Sequence, residues 1–268
     1  MKHEIRHKHS LGQNFITDDK LFAQLVNLSG VGQDDCVLEI GAGAGGLTKA
    51  LAERCREVIA VEVDGALIPL LRVALEKCGN VRLVHGDVMR LNLREITASW
   101  DRFHIVANIP YYLTTDLMTM LLKSDLPIAS VSVMVQKEAA RRIVAGPGEE
   151  GWGMLAVRAQ YAYDCGIALD VPASAFTPPP KVDSAFVVMK RLNTPAVQVE
   201  NEALFFRVAA AAFAMRRKTV ENNLIASFHL SRGEAGRWLE GCGISPGARG
   251  ETLSLNDFAA LSNAAPKK

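Results

Sequence analysis

The stretch Leu38-Glu39-Ile40-Gly41-Ala42-Gly43-Ala44-Gly45-Gly46-Leu47-Thr48 sets glycines at alternate positions straight after an apolar run. With no Cβ to hold a ligand off, such a turn bends tightly and brings its backbone into contact distance, and open α/β sheets bind ligands at this end of a strand. Gly41, Gly43 and Gly46 satisfy G-x-G-x-x-G, so a dinucleotide has to be weighed against other adenosine-containing cofactors. Glu62, about 20 residues on, would accept both ribose hydroxyls in either case. Two other acids separate the readings. Glu39 lies beside the loop, where it suits a cofactor bearing a sulfonium and an ammonium better than a pyrophosphate. Asp87, in His85-Gly86-Asp87-Val88, ends another apolar run, and a carboxylate there can accept a hydrogen bond from the exocyclic amine of adenine. Three acids around one glycine turn repel phosphates, so S-adenosylmethionine is the cofactor this pattern fits.

A second constellation is Asn108-Ile109-Pro110-Tyr111-Tyr112. The lone pair of adenine N6 is delocalised into the ring, and the amine becomes nucleophilic only as it turns tetrahedral. Acceptors at its two protons favour that geometry: the side-chain oxygen of Asn108 and the main-chain carbonyl at the Ile109-Pro110 bond. Tyr111 offers a flat ring for a base taken out of its stack. No cysteine adjoins Pro110, which argues against methylation of a pyrimidine carbon, a reaction that needs a covalent nucleophile.

These residues need a scaffold that brings strand ends together. Cys36 to Ile40, Glu57 to Val61, Val81 to Val84, Phe103 to Ala107 and Ala129 to Val135 read as strands rich in Val and Ile. Gly46 to Arg54, Gly65 to Lys77 and Thr114 to Lys123 show leucines at helical spacing. The alternation predicts βαβ units and a doubly wound, mostly parallel α/β sheet. After a helical pattern at Gly153 to Tyr163, two extended runs, Gly166 to Val171 and Val182 to Met189, flank Phe176-Thr177-Pro178-Pro179-Pro180. Three successive prolines cannot lie inside a sheet or a helix. Beyond Pro195 only helical patterns follow, at Glu202 to Met215, Thr219 to Ser227, Gly233 to Glu240 and Asn256 to Ala264. The expected domains are 1–192, α/β and cofactor-binding, and 193–268, small and all-α.

The chain has 268 residues, 49% hydrophobic and 22% charged, which is ordinary globular composition. Its best apolar run, Val208 to Met215, is far short of the roughly 18 residues a membrane span needs. The charged N-terminus leads into no apolar segment, so a cytoplasmic protein is expected. Five cysteines without a C-x-x-C pair suggest neither a disulfide framework nor a zinc ribbon. The six histidines show no ligand spacing, and no metal is expected. Lys and Arg outnumber Asp and Glu over residues 181–268 and the reverse holds before them, a mild sign of a polyanionic partner.

Taken in order, the motifs resemble the rRNA adenine N6,N6-dimethyltransferases, and within them the small-subunit branch associated with kasugamycin resistance. The resemblance runs from Gly12-Gln13-Asn14-Phe15 through Glu39 to Gly43, Glu62-Val63-Asp64, Gly86-Asp87 and Asn108 to Tyr111. It continues past Gln136-Lys137-Glu138 and Phe176 to Ser184, and ends at Phe213 to Thr219 and Asn223-Leu224. It implies a seven-stranded class I methyltransferase sheet with a helical C-terminal domain that recognises rRNA. The implied reaction is transfer of two methyls to each of two adjacent adenosines near the 3′ end of small-subunit rRNA in the assembling subunit. It further implies that Asn14 and Ile16 close over S-adenosylmethionine, that Gly41 and Gly43 meet it through backbone, and that Glu62 holds its ribose. Asp87 and Val88 would meet its adenine, and Asn108 and Pro110 would face the target amine. Tyr111 and Phe176 are the implied aromatics of the base pocket. A monomer is expected. Ile109 stands where Leu is common, a change of side chain only.

Other functions remain open at this point. The same fold serves the large-subunit dimethyltransferases of macrolide resistance, against which Phe176 to Ser184 and the Arg216-Arg217-Lys218 helix speak. An NAD-linked oxidoreductase would need a proton donor near the fourth strand, and a non-catalytic RNA-binding factor would not need Asn108 to Tyr111. Arg216-Arg217-Lys218, and Arg141 with Arg142, are read either as solvated helix faces or as phosphate contacts.

Overall fold

A computed structural model of the chain describes residues 15, 16 and 18–266. It contains two compact units, residues 1–140 with 165–191 and residues 141–164 with 192–268.

The first unit is built on a seven-stranded sheet. Its strands are β2 (Cys36–Ile40), β3 (Glu57–Glu62), β4 (Val81–His85), β5 (Phe103–Asn108), β6 (Ile128–Gln136), β7 (Tyr163–Val171) and β9 (Ser184–Arg191), in the order β4-β3-β2-β5-β6-β9-β7. The pairs β2–β3, β3–β4, β2–β5 and β5–β6 are parallel, and β6–β9 is antiparallel. All five residues of β2 are buried, as expected for a central parallel strand covered on both faces. On one face α1 (Asp19–Ser29) and α2 (Gly46–Ala52) bury Phe22, Leu25, Leu47 and Leu51 against Val37, Val106 and Phe186. Asp18 caps α1 by accepting the Lys20 N–H, and Gly30 ends it in the left-handed conformation. A two-residue strand, β1 (Phe15–Ile16), pairs antiparallel with an equally short β8 (Phe176–Thr177), setting Ile16 opposite Phe176.

From β2 the chain steps outward to β3 and β4 by way of α2 and α3 (Ile68–Ala74), returns after α4 (Leu93–Ile96) to lay β5 on the other side of β2, and goes on through α5 (Thr114–Lys123) to β6 and α6 (Lys137–Val144). The strand order therefore reverses between β2 and β5. In an open α/β sheet the crevice outside the carboxyl ends of two such strands is where a ligand binds, and here those ends are Ile40 and Asn108.

The second unit is helical, with its own core. Trp152, Val157 and Tyr161, around α7 (Met154–Ala162), share a cluster with Phe205, Leu224, Trp238 and Phe258. These come from α8 (Glu202–Ala212), α9 (Val220–Phe228), α10 (Arg232–Gly241) and α11 (Leu255–Asn263). The Trp152 indole donates to the Leu253 carbonyl at 2.9 Å and the Trp238 indole to that of Leu261 at 2.9 Å, so neither ring buries an unpaired N–H. The chain thus enters this unit twice, and a boundary near 192 marks only the second entry. One expectation needs correcting: Arg216-Arg217-Lys218 do not lie on a helix. Helix α8 stops at Ala212, and the three cations form an exposed turn before α9.

Candidate active site

The glycine turn after β2 is held by the end of β3. Gly41 and Ala42 both donate their N–H to the Val61 carbonyl, at 2.9 and 3.2 Å. Gly43 donates to Glu62 Oε2 at 2.8 Å, and Asp64 donates to Oε1 at 2.8 Å. Glu62 is 3% exposed, so its carboxylate is first a clamp that fixes the loop; each oxygen keeps a second lone pair for a ligand. Gly43 sits at φ 57 with the Phe15 ring against it, so that a Cβ would lie 3.1 Å from that ring. At Gly46 a Cβ would overlap the Phe22 ring, which makes this glycine the one that admits α1 against α2.

Glu39 is 1% exposed at the penultimate position of β2, and its register partners are Ala60 and Val106. Burial pushes its carboxyl up to about 8; the nearby Thr48 hydroxyl lowers it and the Glu62 carboxylate raises it. Thr48 Oγ1 is buried beside it. It and both Glu39 carboxylate oxygens have no partner among the described residues. A buried carboxyl in that state is neutral at pH 7 and receptive to a positive charge.

Asp87 follows β4 with its side chain 41% exposed. Its Oδ1 accepts the Met89 N–H at 3.0 Å and its Oδ2 lies 3.5 Å from Arg90 Nε, which orients the carboxylate and leaves one face in solvent. Val88 is buried, and Ile16 packs in the core beside Phe22 and Phe176. Asn14 lies outside the described residues.

Asn108 ends β5, half-buried, and a Cβ on Gly41 would stand 3.5 Å from its carbonyl oxygen. The two motifs that sequence spacing singles out therefore abut across the strand-order reversal. Ile109 donates its N–H to Met134 O at 3.2 Å, and Pro110 leads into a 3-10 turn, Tyr111–Leu113. The Tyr111 ring is half-buried, and its hydroxyl lies 2.8 Å from Ser184 Oγ, at the buried start of β9. Burial raises the Tyr111 pKa and the Ser184 contact lowers it, so the phenol stays neutral. Phe176 is only 3% exposed and belongs to the core; of the two expected pocket aromatics, Tyr111 alone presents an accessible ring. Ser184 and Phe15 are the contacts spacing could not foresee, because each depends on a partner distant in sequence.

With this geometry in place, the comparisons are direct. The family model for ribosomal RNA adenine dimethylase matches residues 4–265. The chain belongs to that family. Relatives named ribosomal RNA small subunit methyltransferase A include one from Enterococcus faecalis, 42% identical over 99% of this chain and 92% of the relative, and one from Geobacillus thermodenitrificans, 41% identical over 96% and 90%. Among solved structures, the 23S rRNA methyltransferase ErmE aligns at TM-score 0.75 and 25% identity, over 94% of this chain and 99% of that one. A dimethyladenosine transferase from Plasmodium falciparum aligns at TM-score 0.75 and 22% identity, over 92% and 95%. The chain is an rRNA adenine dimethyltransferase of class I fold. Among its described residues no helix is long and apolar enough to cross a membrane.

Proposed function

We propose that this family member transfers methyl groups from S-adenosylmethionine to N6 of two adjacent adenosines near the 3′ end of small-subunit rRNA, on the assembling small ribosomal subunit. The observation that carries the reading is the placement of Asn108 against Gly41 at the point where strand order reverses. The names of the full-length relatives support the small subunit over the large one.

The residues present suit the cofactor. Glu39, buried with both oxygens unpartnered, matches its positive charge. The backbone of Gly41 and Gly43 lines its path, Glu62 takes the ribose, and Asp87 with the Val88 backbone takes the adenine. Ile16 borders the site from the N-terminal side, and the resemblance gives Asn14 the same role. S-adenosylmethionine, when bound, supplies an electrophilic methyl group. The chain's own groups then act on the base. The Asn108 side-chain oxygen and the carbonyl preceding Pro110 accept hydrogen bonds from the two N6–H groups and draw the amine toward tetrahedral geometry. Tyr111, steadied through Ser184, stacks the extruded adenine, and Phe176 backs the pocket from the core. No strong base is required, because the alkylated amine is acidic and its displaced proton leaves to solvent.

The test is mass spectrometry of small-subunit and large-subunit rRNA after the purified protein and S-adenosylmethionine act on both subunits, each lacking the modification. Two dimethylated adjacent adenosines are expected; methylation confined to large-subunit rRNA would reject the reading. For the cofactor, Asp87→Ala should weaken S-adenosylhomocysteine binding by about 1–3 kcal/mol, the range for losing a hydrogen bond to a charged group. Glu62→Ala should lose more, because it also frees the Gly43 and Asp64 N–H groups. Calorimetric titration reads both, and unchanged affinity in the Asp87 variant removes its assignment.

Selection of one site on a ribosomal subunit calls for a surface that reads shape and phosphates. The exposed turn Arg216-Arg217-Lys218 fits that role. Replacing Arg216 and Arg217 together by alanine should lower the log–log salt slope of subunit binding by roughly 1–2, through lost counterion release. A slope equal to wild type would mark the turn as merely solvated.

A further inference from the structure

Tyr112 is the one aromatic residue exposed among the described residues, at 62%. An aromatic ring normally gains by burial, and Tyr112 forgoes that gain. Its position is informative. A 3-10 turn has about three residues, so consecutive side chains point some 120° apart. Tyr111 and Leu113 are half-buried while Tyr112 faces out. The Tyr111 hydroxyl reaches Ser184, and that contact ties the turn to the segment entering β9. Two residues before Ser184 stands Val182, itself 47% exposed, and beside it the exposed Lys181. An outward ring, an outward aliphatic side chain and a free-standing cation thus lie on the two segments that Tyr111 and Ser184 join.

The substrate reading proposed above makes this arrangement intelligible. A target adenine belongs to a polynucleotide, so placing it against Tyr111 carries its covalent neighbour to the rim of the same pocket. Taking a base out of its stack breaks stacking on both sides, and the neighbour is left with an apolar face in water. Aromatic side chains recover such faces, and they do so with little regard for base identity. We propose that Tyr112 is the stacking platform for the nucleotide adjacent to the target adenosine, with Val182 as its apolar edge and Lys181 supplying charge for the phosphate between the two. The platform rests on the rRNA-adenine reading and adds a subsite to it. It also suits a substrate with two successive targets: a sequence-tolerant platform accepts whichever base flanks the adenosine in the pocket, so both registers are productive.

The experiment compares wild type, Tyr112→Ala, Tyr112→Phe and Tyr112→Trp on small-subunit rRNA assembled into subunits. The rRNA is either intact or rebuilt by ligation with an abasic residue on the 5′ or the 3′ side of the target pair. On intact RNA, Tyr112→Ala should raise KM for the subunit about tenfold, within the range of a lost base–aromatic stack. Its kcat should stay within about twofold, and its affinity for S-adenosylhomocysteine should match wild type. Phe and Trp should restore KM, because the ring and not the hydroxyl is used. In wild type, one of the two abasic substrates should raise KM to a similar degree for the target adenosine next to the abasic residue, while the other target, whose neighbour is intact, keeps its KM. With Tyr112→Ala that substrate should add little, the signature of a shared interaction. An Ala variant with wild-type KM, a Phe variant as poor as Ala, or abasic effects that multiply with the Ala effect on both sides would each overturn the platform while leaving the parent function standing. A wild type that leaves intact subunits unmethylated would remove the parent reading, and the platform with it.

Discussion

Asn108→Ala should lower kcat for rRNA methylation by about 10²- to 10³-fold, the scale seen when one oriented partner of a developing charge is removed. Subunit KM and S-adenosylhomocysteine affinity should stay close to wild type. The ground-state amine is planar and already solvated, so the acceptor gains little by binding it. As the nitrogen turns tetrahedral and passes positive charge to its protons, the same acceptor becomes a strong one. An interaction that strengthens only in the transition state appears in kcat and not in binding. Asn108→Asp keeps an acceptor at the site and should retain more activity than Ala. Single-turnover rates with saturating cofactor make the comparison. Since Asn108 also ends a strand whose carbonyl abuts Gly41, the cofactor affinity of the Ala variant checks that the loop is intact. A near-normal rate with intact cofactor binding would sink the mechanism, whereas lost cofactor binding would make Asn108 a structural residue.

Much of this site was legible from spacing, and the reason is local. Strand β2 falls on Cys36–Ile40, where the apolar run predicts it, because a strand buried on both faces is apolar wherever no residue serves a site, and Glu39 is its one exception. The glycine turn and Asn108 follow from the rule that such sheets keep their chemistry at strand carboxyl ends. Whatever depended on distant contacts was hidden. The pairing of Ile16 with Phe176 involves two residues a side, too few to show alternation, and it moves Phe176 from pocket wall to core. The apolar pattern over Glu202 to Met215 suggests a helix reaching the Arg216 run, yet α8 ends at Ala212. There Asn223 Nδ2 donates to the Ala212 carbonyl at 2.8 Å, and Gly250 presses so close to the same carbonyl that no Cβ would fit. Residues 141–164 look like a continuation of the α/β pattern because Trp152 finds its partner, Leu253, only a hundred residues later. Glu39 was visible as an acid beside the loop. Its complete burial was not, and that burial sets its chemistry.

Stability of the free protein should therefore fall as pH rises from about 4.5 toward about 8, and Glu39→Gln should abolish the fall. Below about 4.5 the folded and unfolded chains both hold the Glu39 proton, and the residue contributes nothing. Between its ordinary value of 4.5 and the folded value of about 8, the unfolded chain has released the proton and the folded chain has not. Each pH unit in that window costs about 1.4 kcal/mol of stability. Above about 8 both states are ionised and the loss levels off. The Gln variant should match wild type in Tm near pH 5 and exceed it at pH 8. A positive ligand beside the carboxyl reverses the balance, since it stabilises the ionised form and draws the proton off. Wild-type affinity for S-adenosylmethionine should rise with pH, at most about tenfold per unit, and flatten near pH 8. The Gln variant should keep only the ligand's own titration. Titrating the wild type at pH 7 in two buffers of different ionisation enthalpy counts the released protons directly, and S-adenosylhomocysteine, which lacks the sulfonium, should release fewer. Equal pH dependence of Tm in wild type and variant would show that Glu39 is ionised in the free protein. Equal proton release with both ligands would place the sulfonium away from it, leaving only the ammonium as its partner.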